Sequence, residues 1–129
     1  MNVVDSSGWL EYFADGPNAD KFAPAIQRTR ELIVPTLSIY EVFKRVLQQR
    51  SETEALRAVA LMQQGRVVDL NAGIALRAAK LSLELRLPMA DSIMLSTALE
   101  YRATLWTQDA DFEDIKEVRY FATRQSKSK

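Results

Sequence analysis

Short β-branched runs alternate with long amphipathic stretches along the whole chain. That alternation restricts it to an α/β fold on a parallel sheet, because parallel strands need a long crossover between them and a helix is the usual one. Asn2-Val3-Val4-Asp5 reads as a first strand, and Ser6 or Ser7 can cap a helix carrying Trp9, Leu10, Tyr12 and Phe13 that stops near Asp15-Gly16-Pro17. A second helix runs from Ala19 to about Thr29, and Leu32-Ile33-Val34 forms a strand ended by Pro35. Thr36 or Ser38 opens a helix to about Arg50; Ser51 and Glu54 then make a capping box for a helix to Gln64, with Gly65 as its stop. Val67-Val68-Asp69-Leu70 is a third strand, and Asn71 caps a helix to about Leu85. Leu87-Pro88 begins a helix to about Arg102, Thr104–Thr107 is a fourth strand and Val118–Phe121 a fifth. The 129 residues suffice for one core and are too few for two ordinary domains. Residues 123–129, Thr-Arg-Gln-Ser-Lys-Ser-Lys, read as a loose basic tail.

The chain has no histidine and no cysteine. This removes Ser-His-Asp and Cys-His catalysis, disulfides and thiolate zinc sites, and it fits a reducing cytosol. Hydrolytic chemistry would have to use carboxylates, lysine, hydroxyls or a metal bound by oxygen, and hard oxygen ligands suit Mg²⁺ and Mn²⁺. The 17 basic and 17 acidic residues cancel, so net charge does not announce a nucleic-acid partner. No apolar run approaches the roughly 20 residues of a membrane span, and the N-terminus lacks the pattern of a signal peptide.

In an open parallel sheet, ligands collect beyond the C-terminal ends of the strands. Asp5 closes the first strand and Asp109 follows the fourth, so both belong to that rim, although each also suits a helix cap or turn. Asp91 falls on the apolar arc made by Met94, Leu95, Ala98, Leu99 and Tyr101, with Ser92, Ser96 and Glu100 opposite. A carboxylate there is costly unless it is paired or metal-bound, or unless it simply complements the dipole of the first turn. Glu41 lies away from the apolar face of Ile39, Val42, Phe43, Val46 and Leu47, alongside Ser38, Lys44, Arg45 and Gln48. A solvated glutamate is the plain reading, set against its place one turn beyond the same rim.

Four segments carry a family resemblance: Val3-Val4-Asp5-Ser6-Ser7, Pro35-Thr36-Leu37-Ser38-Ile39-Tyr40-Glu41-Val42, Leu87-Pro88-Met89-Ala90-Asp91-Ser92-Ile93, and Leu105-Trp106-Thr107-Gln108-Asp109-Ala110-Asp111-Phe112. In this order and spacing the chain resembles the PIN-domain family, especially the VapC-type toxins of bacterial and archaeal toxin–antitoxin operons, from Val3 to Phe121. The resemblance implies a three-layer α/β/α fold with a central, mainly parallel five-stranded sheet, occupying residues 1–122. It assigns Asp5, Glu41, Asp91 and Asp109 to an acidic metal site, with Ser6, Thr107 and Asp111 supporting it. Ala90 departs from the family, where many members carry a bulkier or polar residue before the Asp, and this bears on substrate contacts.

The implied activity is Mg²⁺- or Mn²⁺-dependent cleavage of single-stranded or looped RNA to a 5′-phosphate and a 3′-hydroxyl. Converging carboxylates repel one another and call for a cation. Lys44, Arg45 and Arg86 are candidate phosphate contacts, and Arg102, Arg124, Lys127 and Lys129 add positive charge; an ordinary solvated role is the alternative for each. Trp9, Tyr12 and Phe13 could stack on bases, although their helical spacing suits core or dimer contact. The implied partners are a cognate antitoxin and a second copy of the chain, in the cytoplasm. Phe22, Ile26, Tyr40 and Phe43 either line a groove for an antitoxin helix or belong to the core.

Rival readings fare less well. A phosphoacceptor receiver domain would need a Lys after the fifth strand, where Ala122-Thr123 stands, and paired acids at Asp5. A haloacid-dehalogenase-type phosphatase would need an Asp at Ser7. The remaining alternative is a PIN-like module that binds RNA or protein without cutting.

Overall fold

The computed structural model describes residues 1–124. Five strands, β1 (Asn2–Val4), β2 (Leu32–Pro35), β3 (Arg66–Val68), β4 (Thr104–Thr107) and β5 (Val118–Tyr120), form one sheet in the order β3-β2-β1-β4-β5. All four pairings are parallel, with Val3 opposite both Ile33 and Leu105. The helices are α1 (Ser6–Phe13), α2 (Ala19–Gln27), α3 (Thr36–Gln49), α4 (Glu52–Met62), α5 (Ala72–Leu85) and α6 (Met89–Glu100). Short 3-10 turns cover Thr29–Glu31 and Ala110–Phe112.

Successive strand residues face opposite sides of a sheet, and here both sides are apolar. Val4, Leu32, Val34 and Trp106 face Trp9 of α1, Phe22, Ala25 and Ile26 of α2, Val42 of α3, and Ala58 and Met62 of α4. Val3, Ile33 and Leu105 face Met94, Leu95 and Ala98 of α6, with Leu87 and Phe112 closing the layer. The result is the three-layer α/β/α arrangement expected. Order reverses at β1, whose neighbours β2 and β4 lead to opposite edges, so the crevice between the C-terminal ends of β1 and β4 is where a ligand site belongs.

Local signals account for most boundaries. Ser51 Oγ accepts from the Glu54 amide at 3.2 Å, and Asn71 Oδ1 from the Ile74 amide at 2.9 Å. Of the caps that the sequence offers for α1, Asp5 rather than Ser6 or Ser7 is the one used, accepting from the Gly8 amide at 3.1 Å. Pro35 and Pro88 stand at the caps of α3 and α6, because their fixed extended backbone leads directly into the helix.

Two helix faces depart from the periodicity reading. α6 is enclosed by the sheet on one side and α5 on the other, so Ser92, Ser96 and Thr97 are buried. Ser96 Oγ donates to the Ile74 carbonyl of α5 at 2.8 Å, and Ser92 and Thr97 donate to carbonyls of their own neighbourhood, Met89 and Ile93. On α3, Ser38 is buried and its hydroxyl meets Met94 Sδ at 3.4 Å, while Leu47 is exposed. Trp9, Phe22 and Ile26 are core residues, which removes Trp9 from base stacking and Phe22 and Ile26 from an open groove. Of the expected tail, residues 125–129 lie outside the described residues. Among the described residues, no helix is long and apolar enough to cross a membrane.

Gly8 is where α1 comes closest to the sheet. A Cβ there would stand 2.6 Å from Val4 Cγ1 and 2.7 Å from Phe22 Cε1, both fully buried. Gly8→Ala should therefore cost about 1–3 kcal/mol, read as a lowered urea midpoint at unchanged slope; a midpoint equal to the parent would show that α1 can lift without penalty.

Candidate metal centre

Asp5 and Thr107 meet across the crevice between β1 and β4. Thr107 Oγ1 donates to Asp5 Oδ2 at 2.6 Å, while Asp5 Oδ1 accepts from Ser7 Oγ at 2.6 Å and from the Gly8 amide. Thr107 Oγ1 also accepts from the Asp109 amide at 2.9 Å, so one hydroxyl ties the end of β1 to the segment leaving β4. Asp109 Oδ1 in turn accepts from the Asp111 amide at 2.9 Å and folds that segment into its 3-10 turn.

That turn brings Asp109 and Asp111 over the first turn of α6. Asp91, Asp109 and Asp111 each offer a carboxylate oxygen, and the three oxygens lie within 4.8 Å of one another. Asp91 and Asp109 are half-buried and Asp111 is exposed. Asp5 lies behind them, almost wholly buried. Glu41 is half-buried on α3, where Ser6 Oγ donates to its Oε1, so it is not the freely solvated glutamate of the plain reading. Lys44, Arg45 and Arg86 are all exposed, and Lys44 lies over the Tyr40 ring at 5.7 Å.

The electrostatics follow from this crowding. Burial, then the hydrogen-bonding contact with Asp111, then the charges of Asp109, Asp111 and Asp5 push the Asp91 carboxyl up to about 8. Burial pushes Asp5 up to about 6, with the Asp109 charge adding to it; the bonds from Ser7, Thr107 and Gly8 work in the opposite direction. The only salt bridge among the described residues joins Arg50 to Glu54, so no basic side chain is ion-paired with any of these acids. Oxygen donors at this spacing, half-buried and uncompensated, fit a hard divalent cation.

Of the sequence candidates, the structure gathers Asp91, Asp109 and Asp111, sets Asp5 and Thr107 behind them, and holds Glu41 through Ser6. Asp111, placed in a supporting role by sequence, belongs to the cluster itself. Ser7 had been read only as a possible cap; its hydroxyl contacts Asp5, Thr107 at 3.3 Å and the Gln108 amide at 3.2 Å. The Asp5-Ser6-Ser7 run was the available signal, but two adjacent serines do not say which one faces the carboxylate.

A family model described as PIN domain matches residues 3–118. The chain belongs to the PIN-domain family. No curated protein matches it. Among solved structures, this PIN domain is similar to a toxin–antitoxin complex from Klebsiella pneumoniae, at 22% identity over 92% of this chain and 95% of that one, with a TM-score of 0.78. It is also similar to VapC20 of Mycobacterium tuberculosis, described as a sarcin–ricin loop cleaving toxin, at 14% identity over 92% and 98% of the two chains and a TM-score of 0.76. A third is VapBC2 of Rickettsia felis bound to a promoter DNA fragment, at 13% identity over 94% and 97% and a TM-score of 0.73. At these identities the likeness establishes a shared fold.

The raised carboxyls carry a stability consequence. Asp5 and Asp91 bind protons more tightly folded than unfolded, so they favour the folded state least once deprotonated. In EDTA the unfolding temperature should fall as pH rises from the ordinary carboxyl value of 3.8 toward about 8. Asp91→Asn should flatten the upper part of that fall, and Mn²⁺ should offset it. A metal-free parent whose unfolding temperature is level across this window would contradict the crowding described.

Proposed function

We propose that this PIN-domain protein is an endoribonuclease of the VapC type, dependent on Mg²⁺ or Mn²⁺ and acting on single-stranded or looped RNA. The observation that carries the reading is the convergence of Asp91, Asp109 and Asp111 at the C-terminal rim of the sheet, with Asp5 behind them. Asp91, Asp109 and Asp111 would hold the ion, and Asp5 and Glu41 would complete its surroundings. When bound, the ion neutralises the site and supplies an activated water and charge stabilisation for phosphodiester hydrolysis.

The protein's own groups do the positioning. Thr107 and Ser7 fix the Asp5 carboxylate, and the Asp109 side chain fixes Asp111. Ser6 donates to Glu41, which would ligate the ion or orient the attacking water. Lys44, Arg45 and Arg86, all exposed, would receive phosphates of the RNA.

An antitoxin is proposed as partner because neighbouring structures include toxin–antitoxin complexes, and a second copy of the chain is proposed beside it. An antitoxin segment suits a groove of about 240 Å³ lined by Leu10 and Phe13 of α1, Val46 of α3 and Leu61 of α4, with exposed Tyr40 on the same helix as Val46. A second copy suits the outer face of α5, where Leu76 is 71% and Leu83 85% exposed, continued by Met89. Action in the cytoplasm belongs to the same reading.

Cleavage of a short unstructured RNA by the antitoxin-free protein, with Mn²⁺, Mg²⁺ or EDTA, tests it. Cutting should require metal and fall by about 10²-fold or more in Asp91→Asn. Cutting indifferent to EDTA and to that substitution would overturn the metal mechanism. Failure on this RNA and also on total tRNA and ribosomal RNA would leave a binding module that does not cut.

A further inference from the structure

Gln108 stands between Thr107 and Asp109, and each of its polar groups is engaged by a different part of the chain. Its amide donates to Ser7 Oγ at 3.2 Å, and its carbonyl accepts from Thr123 Oγ1 at 3.2 Å. Its side-chain Nε2 donates to Glu11 Oε1 at 3.2 Å, and its Oε1 accepts from Asn18 Nδ2 at 2.9 Å. Asn18 is fully buried, and its Nδ2 donates a second time to the Ala122 carbonyl at 2.9 Å. Glu11 Oε2 accepts from the Asn18 backbone amide at 2.7 Å, which closes a ring through three residues.

Glu11 has no salt-bridge partner among the described residues. Its carboxylate is seated where Gly16 lacks a side chain, since a Cβ at Gly16 would stand 2.5 Å from the carboxylate carbon. A half-buried acid held by two donors and given room by a glycine is built to accept hydrogen bonds from a fixed direction. What it holds is Gln108, the residue immediately before Asp109.

We propose that Glu11 and Asn18 are positioning residues that act through Gln108 on the Asp109–Asp111 turn, and so set the affinity of the acidic centre for a divalent cation. The proposal rests on the nuclease reading for the identity of the ion. Neither residue reaches the cluster, so their effect passes entirely through the direction in which the chain leaves β4.

The donors and acceptors allow a reciprocal test. Glu11→Gln sets an amide N–H against one of the two donors that Glu11 accepts. Glu11→Gln with Gln108→Glu restores every bond, with the Gln side chain donating to the Glu, and keeps the net charge. Calorimetric titration of Mn²⁺ into the full chain, beside unfolding temperatures in EDTA, reads both effects.

Glu11→Gln and Gln108→Ala should each weaken Mn²⁺ binding by about tenfold or more, and the reciprocal pair should recover most of the loss. Unchanged Mn²⁺ affinity in the single variants, even with a lowered unfolding temperature, would make the ring a fold contact only and overturn the proposal. So would a reciprocal pair that unfolds like the parent yet binds Mn²⁺ weakly. Asp91→Asn separates the two levels: if Mn²⁺ binding by the parent is indifferent to it, the nuclease reading falls and the positioning role with it. Binding sensitive to Asp91→Asn but not to Glu11→Gln overturns the positioning role alone.

Discussion

The hydroxyl of Thr107 holds together the part of the molecule on which everything else depends. It donates to Asp5 at the end of β1 and accepts from the Asp109 amide beyond β4, joining two parallel strands where their backbone ladder has run out. A parallel sheet opens at this point because successive connections leave toward opposite edges. The opening is useful only if its walls are rigid. The Thr107 side chain is fully buried, so its bonds are made without competition from water.

Rigid walls let the fold tolerate what would otherwise disperse. Three carboxylates lie within 4.8 Å with a fourth buried behind them, and burial, then the contact with Asp111 and the neighbouring charges, push the Asp91 carboxyl up to about 8. The two cores on either side of the sheet resist the separation that would relieve this. Part of the folding free energy is thereby set against an arrangement of crowded carboxylates.

Much of this was legible in the sequence, and the limits are instructive. Thr104–Thr107 sets Leu and Trp between two β-branched threonines, and its observed bounds agree with the reading. The caps at Ser51 and Asn71 are local chemistry and needed no tertiary information. The α/β fold on a parallel sheet followed from alternation alone, and its three layers from the family resemblance. The enclosed nature of α6 did not, because a serine at position 96 looks solvent-facing until α5 supplies the Ile74 carbonyl. Likewise Leu47 fits the apolar stripe of α3 and is nevertheless exposed. The ring of Glu11, Asn18 and Gln108 joins residues about ninety or more positions apart in its longest contacts, and no local pattern announces such a contact.

The role of Asp111 shows how motif and geometry differ in what they can say. Thr107-Gln108-Asp109-Ala110-Asp111 assigns a supporting hydroxyl and two acids, without ranking the acids. In an extended continuation of β4, Asp109 and Asp111 would both point to one face, spaced along the strand. The chain instead turns, because Asp109 Oδ1 captures the Asp111 amide and begins a 3-10 turn at Ala110. Phe112, fully buried in the layer that holds Met94 and Leu95, anchors the turn against α6. Asp109 thus spends one oxygen on the backbone that delivers Asp111, and the exposed second acid lies beside Asp91 because the first is a cap. The acidic residue that sequence placed at the margin completes the cluster through the same hydrogen bond that shapes its loop.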